Sequence, residues 1–165
     1  MVIRDSVAPF LKAYPNVDVD VLKEFQFGGL AALFNDEVDI LITPDPLIKP
    51  GIDYTPVFQY DQVLVLADSH PLSDKAYIEP SDLSDQVLLS YPVEKSRLDV
   101  FNQFLIPANQ GIAGHKTIET TEILLQMVAA QRGVAVLPQW LVEEQDSEFA
   151  ITSVPLGEQG IKKNI

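Results

Sequence analysis

The chain has 165 residues, 47% of them hydrophobic, so it can bury a core as one domain or as two small lobes. Its 24 acidic and 11 basic residues give a formal net charge of −13, which argues against direct contact with nucleic-acid phosphates or with anionic membrane surfaces. It contains no cysteine and no apolar run near the roughly 20 residues of a membrane span, which excludes disulfide scaffolds, thiolate metal sites and cysteine nucleophiles.

The N-terminal part predicts a strand, a helix and a second strand after an opening helix. Apolar residues at helical spacing before Pro15 predict that first helix. Residues 17–21 alternate strictly between apolar and polar, residues 28–35 fit a short helix with Phe34 facing inward, and residues 38–43 form an apolar run with a buried Asp39. A short helix between two such strands is typical of a βαβ unit with parallel strands.

The rest of the chain predicts a second alternation of strands and helices. Two consecutive strands, residues 54–60 and 62–67, separate it from the first. The following predicted elements are, in order, a helical turn at 80–83, a strand at 87–91, a helix at 98–105, a strand at 116–119, a helix at 121–132 ended by Gly133, a strand at 134–137, a helix at 138–144 and a strand at 149–156. This layout predicts two α/β lobes, residues 1–63 with 148–165 and residues 64–147, with a ligand cleft between facing strand ends.

No catalytic or metal-binding pattern stands out. His70 and His115 are the only histidines, and each lies in a polar stretch without triad or metal-ligand spacing, so both are predicted to be surface residues. Nucleophile-elbow, zinc-protease and phosphate-loop motifs are absent, and the lone pair Gly28–Gly29 is more typical of a turn into a helix. We therefore predict no enzymatic activity, no metal and no cofactor.

The stretch around Ser96 is the strongest candidate for binding a small anion. Ser96 and Asp99 fit the capping box that precedes an apolar helix. A helix start presents free N–H groups and a partial positive charge, which suit a carboxylate, and Arg97 could add a bidentate contact. The alternative is that Ser96 only caps the helix and Arg97 only pairs with a surface carboxylate.

Two other stretches follow predicted strands and would face the same cleft. Thr120 or Thr121 is predicted to cap the next helix and could also contact the ligand. Thr43 ends the strand predicted at 38–43, and Asp45, just after it, could hold an ammonium group or simply terminate the strand.

Several stretches together resemble the effector domain of LysR-type transcriptional regulators. They are residues 14–17 and 38–43, residues 63–67 leading to His70, Pro71 and Leu72, and residues 127–130 followed by 133–138. Each stretch alone is weakly specific, but the combination is specific and covers about residues 7–156. The resemblance implies an α/β protein of two Rossmann-like lobes with the type II periplasmic-binding-protein fold, acting as a sensor and not as an enzyme.

Residues 89–93 with 96–101, residues 124–130 and residues 138–140 resemble more narrowly the members that regulate methionine biosynthesis. In those members the effector is homocysteine. The family resemblance further implies a cytoplasmic homodimer or higher homo-oligomer that contacts DNA only through a separate helix-turn-helix and does not associate with membranes. The candidate effector-binding residues are therefore Thr43, Asp45, Ser90, Tyr91, Ser96, Arg97, Thr120, Thr121 and Pro138.

The chain departs from the family pattern at both ends. The helix-turn-helix, its linker helix and the first strand of the first lobe are not found, and residues 158–165 do not match the expected closing strand and helix. We therefore expect a domain truncated at both ends, with an incomplete first lobe. Two alternatives stay open: an extracytoplasmic solute-binding protein of the same fold, and a LysR-type regulator with another small anionic effector.

Overall fold

The chain divides into two compact units between Ile42 and Thr43. The structure, a computed structural model, describes residues 7–22, 24–25, 28–44, 49–145 and 148–165. The predicted lobes, residues 1–63 with 148–165 and residues 64–147, use different boundaries and stay a prediction.

The first unit contains two short helices, α1 (Ala8–Ala13) and α2 (Gly29–Phe34), in its described part. A proline in the first turn of α1 costs no hydrogen bond, because that N–H would have no intrahelical partner. Helix α2 buries Gly29 and Ala32, whereas Phe34 is 49% exposed and does not face inward as predicted.

The two strands predicted in this unit are wrong for the residues that the structure describes. Residues 17–21 and 38–43 run without strand pairing, so the predicted βαβ unit is not formed there. Ile40 is 79% exposed, and Asp39, predicted to be buried, is exposed as well. A strand needs a neighbour to take up its backbone hydrogen bonds, and apolar patterning alone does not supply one.

The second unit is built on a six-stranded mixed sheet. Its strands are β1 (Gln59–Ala67), β2 (Val87–Ser90), β3 (Gly114–Thr117), β4 (Val134–Pro138), β5 (Ile151–Pro155) and β6 (Ile161–Asn164). The strand order is β3-β2-β4-β1-β5, and β6 also pairs with β1. Strand β2 is parallel to β3 and β4, while β1 is antiparallel to β4, β5 and β6.

Several strand boundaries differ from the prediction. One strand, β1, replaces the two strands predicted over 54–67, and β3 begins two residues earlier than expected. Strand β6 lies in the C-terminal segment for which no matching strand was expected, and it pairs with residues 59–62.

Helices α3 (Thr121–Ala129) and α4 (Gln139–Gln145) follow β3 and β4. Two 3-10 turns, Pro80–Leu83 and Lys95–Arg97, and a π-helical segment, Val100–Leu105, complete the unit as described.

Helix α3 ends earlier than predicted. Its left-handed terminal position is taken by Gln131, with φ of 56°, and not by Gly133. The N–H of Arg132 bonds to the carbonyl of Met127, as in a Schellman motif.

Apolar layers cover both faces of the sheet. Because side chains alternate along a strand, Leu64 and Leu66 of β1 join one core cluster, which also contains Phe104. Val63 and Val65 join the other cluster, with Leu124, Leu125 and Val128 of α3. Fully burying one such aliphatic side chain contributes about 1.5–3 kcal/mol, so the two layers hold the strand ends in place.

Candidate functional site

Three parallel strands end together at one edge of the sheet, which we call the carboxyl edge. Ser90 of β2 lies beside Thr117 of β3, and β4, on the other side of β2, ends at Pro138. Helices α3 and α4 begin just beyond this edge. In open α/β sheets, ligands bind outside the carboxyl ends of the strands, so this edge is the place to look for a site.

Tyr91 and Thr121, two of the candidate residues, meet at the carboxyl edge. The hydroxyl of Tyr91 lies 2.6 Å from the Oγ1 atom of Thr121, the first residue of α3. Tyr91 packs against the core cluster that contains α3. Burial raises the pKa of the Tyr91 hydroxyl, which the hydrogen bond to Thr121 partly offsets, so both groups are neutral hydrogen-bonding hydroxyls at physiological pH.

Ser90 points to the opposite face of the sheet and contacts a residue that sequence reasoning missed. The Ser90 side chain is buried, and its Oγ atom donates to the carbonyl of Tyr91 at 2.9 Å and lies 2.8 Å from Nε2 of His115. His115 is half-buried on β3, so its prediction as a surface residue is wrong. No local signal could have revealed this pairing, because it depends on the parallel register of β2 and β3.

A basic side chain lies next to His115. Lys95 Nζ lies 5.6 Å from the centroid of the Phe101 ring, and the His115 ring meets the same ring edge-on at 5.7 Å. Burial lowers the pKa of His115, and the positive charge of Lys95 lowers it further. His115 therefore favours its neutral form in the folded protein.

The predicted capping role of Ser96 is wrong. Ser96 lies inside the 3-10 turn Lys95–Arg97, and its hydroxyl donates to the carboxylate of Glu94. The π-helical segment that follows begins after Asp99, whose carboxylate makes no capping bond. A capping box is found instead at residues 79–82. There Glu79 takes the N-cap position that serine or threonine usually takes in this motif.

The other candidates lie at different distances from this edge along the chain. Thr120 occupies the N-cap position of α3, as one of the two alternatives predicted. Its side chain, however, makes no capping hydrogen bond. Arg97 ends the turn that carries Lys95, and Pro138 ends β4. Thr43 is the first residue of the second unit and is half-buried, and Asp45 lies outside the described residues.

A cleft of about 260 Å³ opens where β1 begins and α4 follows β4. Its lining residues are Phe58, Gln59, Tyr60, Asp61, Gln139, Trp140 and Glu143. The indole Nε1 of Trp140 is buried without a hydrogen-bond partner among the described residues. Burial raises the pKa of Tyr60 to about 12. No local sequence pattern points to this cleft, because its lining comes from two separate segments.

Neither metal-binding nor membrane-spanning features occur in the described ranges. They contain no group of three or more His, Asp or Glu side chains placed to hold a metal ion. None of the helices found there is long and apolar enough to cross a membrane.

A mixed α/β sheet with polar groups at the carboxyl edge is the architecture of a small-molecule-binding domain. Residues 2–165 match the LysR substrate binding domain, so the chain belongs to that family of transcription-regulator domains. It is 42% identical over 150 residues to the HTH-type transcriptional regulator MetR of Escherichia coli K12. The matched region covers 90% of this chain and 47% of that protein. MetR of Buchnera aphidicola is 34% identical over 94% of this chain and 50% of that protein.

The chain thus spans about half the length of the curated relatives that it matches. Among solved structures, the regulatory domain of the LysR family regulator MetR from N. meningitidis superposes with a TM-score of 0.78 at 27% identity, covering 98% of this chain and 74% of that one. The Synechocystis CcmR regulatory domain in complex with 2-PG gives a TM-score of 0.81 at 21% identity, over 98% and 78%, and supports the fold alone.

These comparisons confirm the predicted family and the α/β, periplasmic-binding-protein-like fold class. The chain is the effector-binding domain of a LysR-type regulator and is similar to MetR. This result favours a regulator over a free solute-binding protein, since the curated relatives named above are transcription regulators.

Proposed function

We propose that this domain senses a small amino-acid-like effector, with homocysteine favoured, and thereby modulates DNA binding and transcription by the full-length protein. The observation that carries the proposal is the Tyr91–Thr121 contact at the carboxyl edge of a MetR-like domain. In the full protein, a separate helix-turn-helix would contact DNA, and the regulator would work in the cytoplasm as a homodimer or higher homo-oligomer.

The start of α3 supports a carboxylate as one group of the effector. The first N–H groups of a helix have no intrahelical partner, and the side chain of Thr120 does not cap them. Such a helix start attracts anions through its partial positive charge. Glu122 in the first turn competes for the same positive end, so the site favours a ligand of small negative charge.

The charge of the whole chain favours a zwitterion over other anionic effectors. A net charge of −13 slows the approach of dicarboxylates and phosphates by long-range repulsion. An α-amino acid carries a carboxylate without net charge, so it escapes most of this repulsion. Homocysteine is therefore favoured over another small anionic effector.

Calorimetry on this chain tests the effector. L-homocysteine is titrated into the wild type in parallel with L-homoserine, which replaces the thiol by a hydroxyl. We expect tighter binding of homocysteine, because the thiol end is expected to face apolar side chains. Absence of homocysteine binding by the wild type would contradict the effector assignment.

Two matched threonine variants test the location. Thr121→Val removes the hydroxyl at the carboxyl edge, and Thr152→Val removes one on β5 at the opposite edge. Losing a hydrogen bond to a charged group costs about 1.5–3 kcal/mol, so we expect roughly ten- to a hundredfold weaker binding for Thr121→Val only. Equal affinities of the two variants would contradict the placement of the site.

The proposed homodimer is tested separately. In this family a dimer would be isologous, with the same surface of each copy at the interface. Light scattering at tens of micromolar should give about twice the mass of the 18.3 kDa chain. A single species at the mass of the monomer would count against a dimer formed by this domain.

A further inference from the structure

The direction of the hydrogen bonds around Ser90 depends on which nitrogen of His115 carries a proton. A serine hydroxyl has one proton, and the carbonyl of Tyr91 lies 2.9 Å from Ser90 Oγ, in position to accept it. When the proton is donated there, the 2.8 Å contact between Ser90 Oγ and His115 Nε2 is made with Nε2–H as the donor. His115 is then the Nε2–H tautomer, with Nδ1 as the atom that can still accept a proton.

The same hydroxyl connects His115 to the main chain at the end of β2. The carbonyl of Tyr91 accepts the hydroxyl of Ser90 and the N–H of Val93, and the carbonyl of Ser90 accepts the N–H of Ile118. These contacts hold the two peptide groups on either side of Tyr91. Between them the Tyr91 side chain extends on the opposite face, where it meets Thr121.

We propose that His115 is a positioning residue of the effector site, which acts through Ser90 to hold Tyr91 against Thr121. This inference rests on the proposed function, because it assumes that the Tyr91–Thr121 pair contacts the effector. Without the Nε2–H donor, the buried Ser90 oxygen loses one of its two hydrogen bonds. The Ser90 side chain then has no reason to keep its rotamer, and the Tyr91 carbonyl loses a partner.

The positive charge of Lys95 favours the neutral form of the His115 ring. Lys95 is the charged side chain that lowers the proton affinity of His115, and both side chains contact the Phe101 ring. A proton on Nδ1 keeps the bond to Ser90 but places a second cation beside Lys95. The bond to Ser90 is therefore present in both protonation states of His115, while burial and the charge of Lys95 favour the neutral one.

Two replacements of His115 separate hydrogen bonding from ring packing. His115→Gln keeps a side-chain N–H donor near the position of Nε2 but cannot titrate. His115→Phe keeps a ring against Phe101 and has no donor. His70→Phe is the matched control. His70 bonds to the Gln86 side chain and accepts the N–H of Leu72, in the turn that follows the C-terminal end of β1.

The variants are compared by L-homocysteine calorimetry at pH 7.5 and by NMR of the Thr121 and Tyr91 resonances without ligand. We expect about tenfold weaker binding and shifted Thr121 resonances for His115→Phe, and near wild-type values for His115→Gln and His70→Phe. Equal impairment of the Gln and Phe variants, or no change in either, would overturn the proposal.

A measurement on the unmodified chain covers variants that do not fold. Long-range ¹H–¹⁵N NMR of the two histidines should show His115 as the Nε2–H tautomer, and the Nδ1–H tautomer would overturn the proposal. If the wild type does not bind homocysteine, the proposed effector fails. The tautomer and the Thr121 resonances then still decide whether His115 positions Tyr91.

Discussion

Individual side chains at the end of β2 have separate tasks although they are adjacent in the sequence. Ser90 faces His115 on one side of the sheet, and Tyr91 faces Thr121 on the other. Strand geometry sends successive side chains to opposite faces, so two neighbouring candidates serve two different environments. A binding residue at this edge is therefore identified by its partner across the sheet and not by its neighbour in the sequence.

Ser96→Ala should leave stability nearly unchanged, because the Ser96 side chain caps neither neighbouring helical segment and its hydroxyl donates to the exposed carboxylate of Glu94. We expect a change in the free energy of unfolding below about 0.5 kcal/mol, as for other surface substitutions. Urea unfolding measures it, with Tyr91→Phe as the comparison, where loss of the bond to Thr121 should cost about 0.5–1.5 kcal/mol. A loss above 1 kcal/mol for Ser96→Ala would restore the capping role.

His115 should make the folded state less stable in mild acid. Burial and Lys95 lower the pKa of His115 in the folded protein below its ordinary value of 6.5, so the unfolded chain binds the proton first as the pH falls. The contribution of His115 is complete above pH 6.5 and is lost as the pH falls from there toward the lowered pKa. His115→Gln should therefore lose less stability than the wild type below pH 6.5.

Urea unfolding at several pH values between 5 and 8 measures this difference, with His70→Gln as the control. The carboxylates contribute the same background to all three proteins. Parallel pH profiles for wild type and His115→Gln would show that the histidine is not linked to folding in this way.

At the scale of elements, the helices end in a way that glycine positions do not reveal. Asp36, Asn109 and Gln131 have φ between 53° and 58°, and each lies just after a helical segment. The chain accepts this conformation at non-glycine residues because the following N–H groups satisfy carbonyls of the last turn. Gly133 is therefore not the residue that ends α3.

The need for glycine at position 133 comes from packing between elements. A Cβ atom there would collide with the carbonyl oxygen of Val87 and lie 3.0 Å from Cγ of Leu89. Gly133→Ala should therefore push β4 away from β2 and cost about 1–3 kcal/mol, the usual cost of overpacking. Thermal and urea unfolding test this against Gly111→Ala, where a Cβ atom meets nothing within 4 Å. Equal stability of the two variants would contradict the explanation.

Strand β6 is attached by an ion pair to the start of the π-helical segment. Lys163 Nζ lies 2.5 Å from Oδ2 of Asp99, and both side chains are mostly buried. Gln62 also donates to that carboxylate oxygen, at 3.1 Å. Removing the lysine leaves the carboxylate short of a charged partner, which is costly for a buried group.

We expect Lys163→Ala to lower the free energy of unfolding by about 1.5–3 kcal/mol, as for other hydrogen bonds to charged groups. Lys162→Ala is the matched control, since the neighbouring lysine is exposed. Urea unfolding of both variants gives the comparison. A loss below 0.5 kcal/mol for Lys163→Ala would mean that the ion pair does not stabilise β6.

For the whole molecule, charge decides what this chain does not bind. At low ionic strength, electrostatic forces between a protein and DNA are screened least. A chain with a net charge of −13 is then repelled by the DNA phosphates. We therefore expect no retention of duplex DNA by this chain in a mobility-shift assay at low salt. Sequence-selective retention would contradict the proposal that DNA contact belongs to a separate helix-turn-helix.

The sequence by itself determined the core of the second unit. Strands β2 and β4 and helices α3 and α4 lie where apolar patterns, local breakers and family-like motifs predict them. These elements could be predicted because each signal is contained within a few consecutive residues. Tyr91 was selected as part of a family-like stretch, and Thr121 because it lies at the start of a predicted helix.

Only the tertiary structure decided which strands formed and which side chains met. Residues 17–21 and 38–43 have strand-like patterns, but pairing needs a neighbour that local sequence does not specify. His115 reaches Ser90 across 25 positions of sequence, and Lys163 reaches Asp99 from the far end of the chain. Such contacts depend on strand order and register, which are properties of the assembled sheet and not of any single segment.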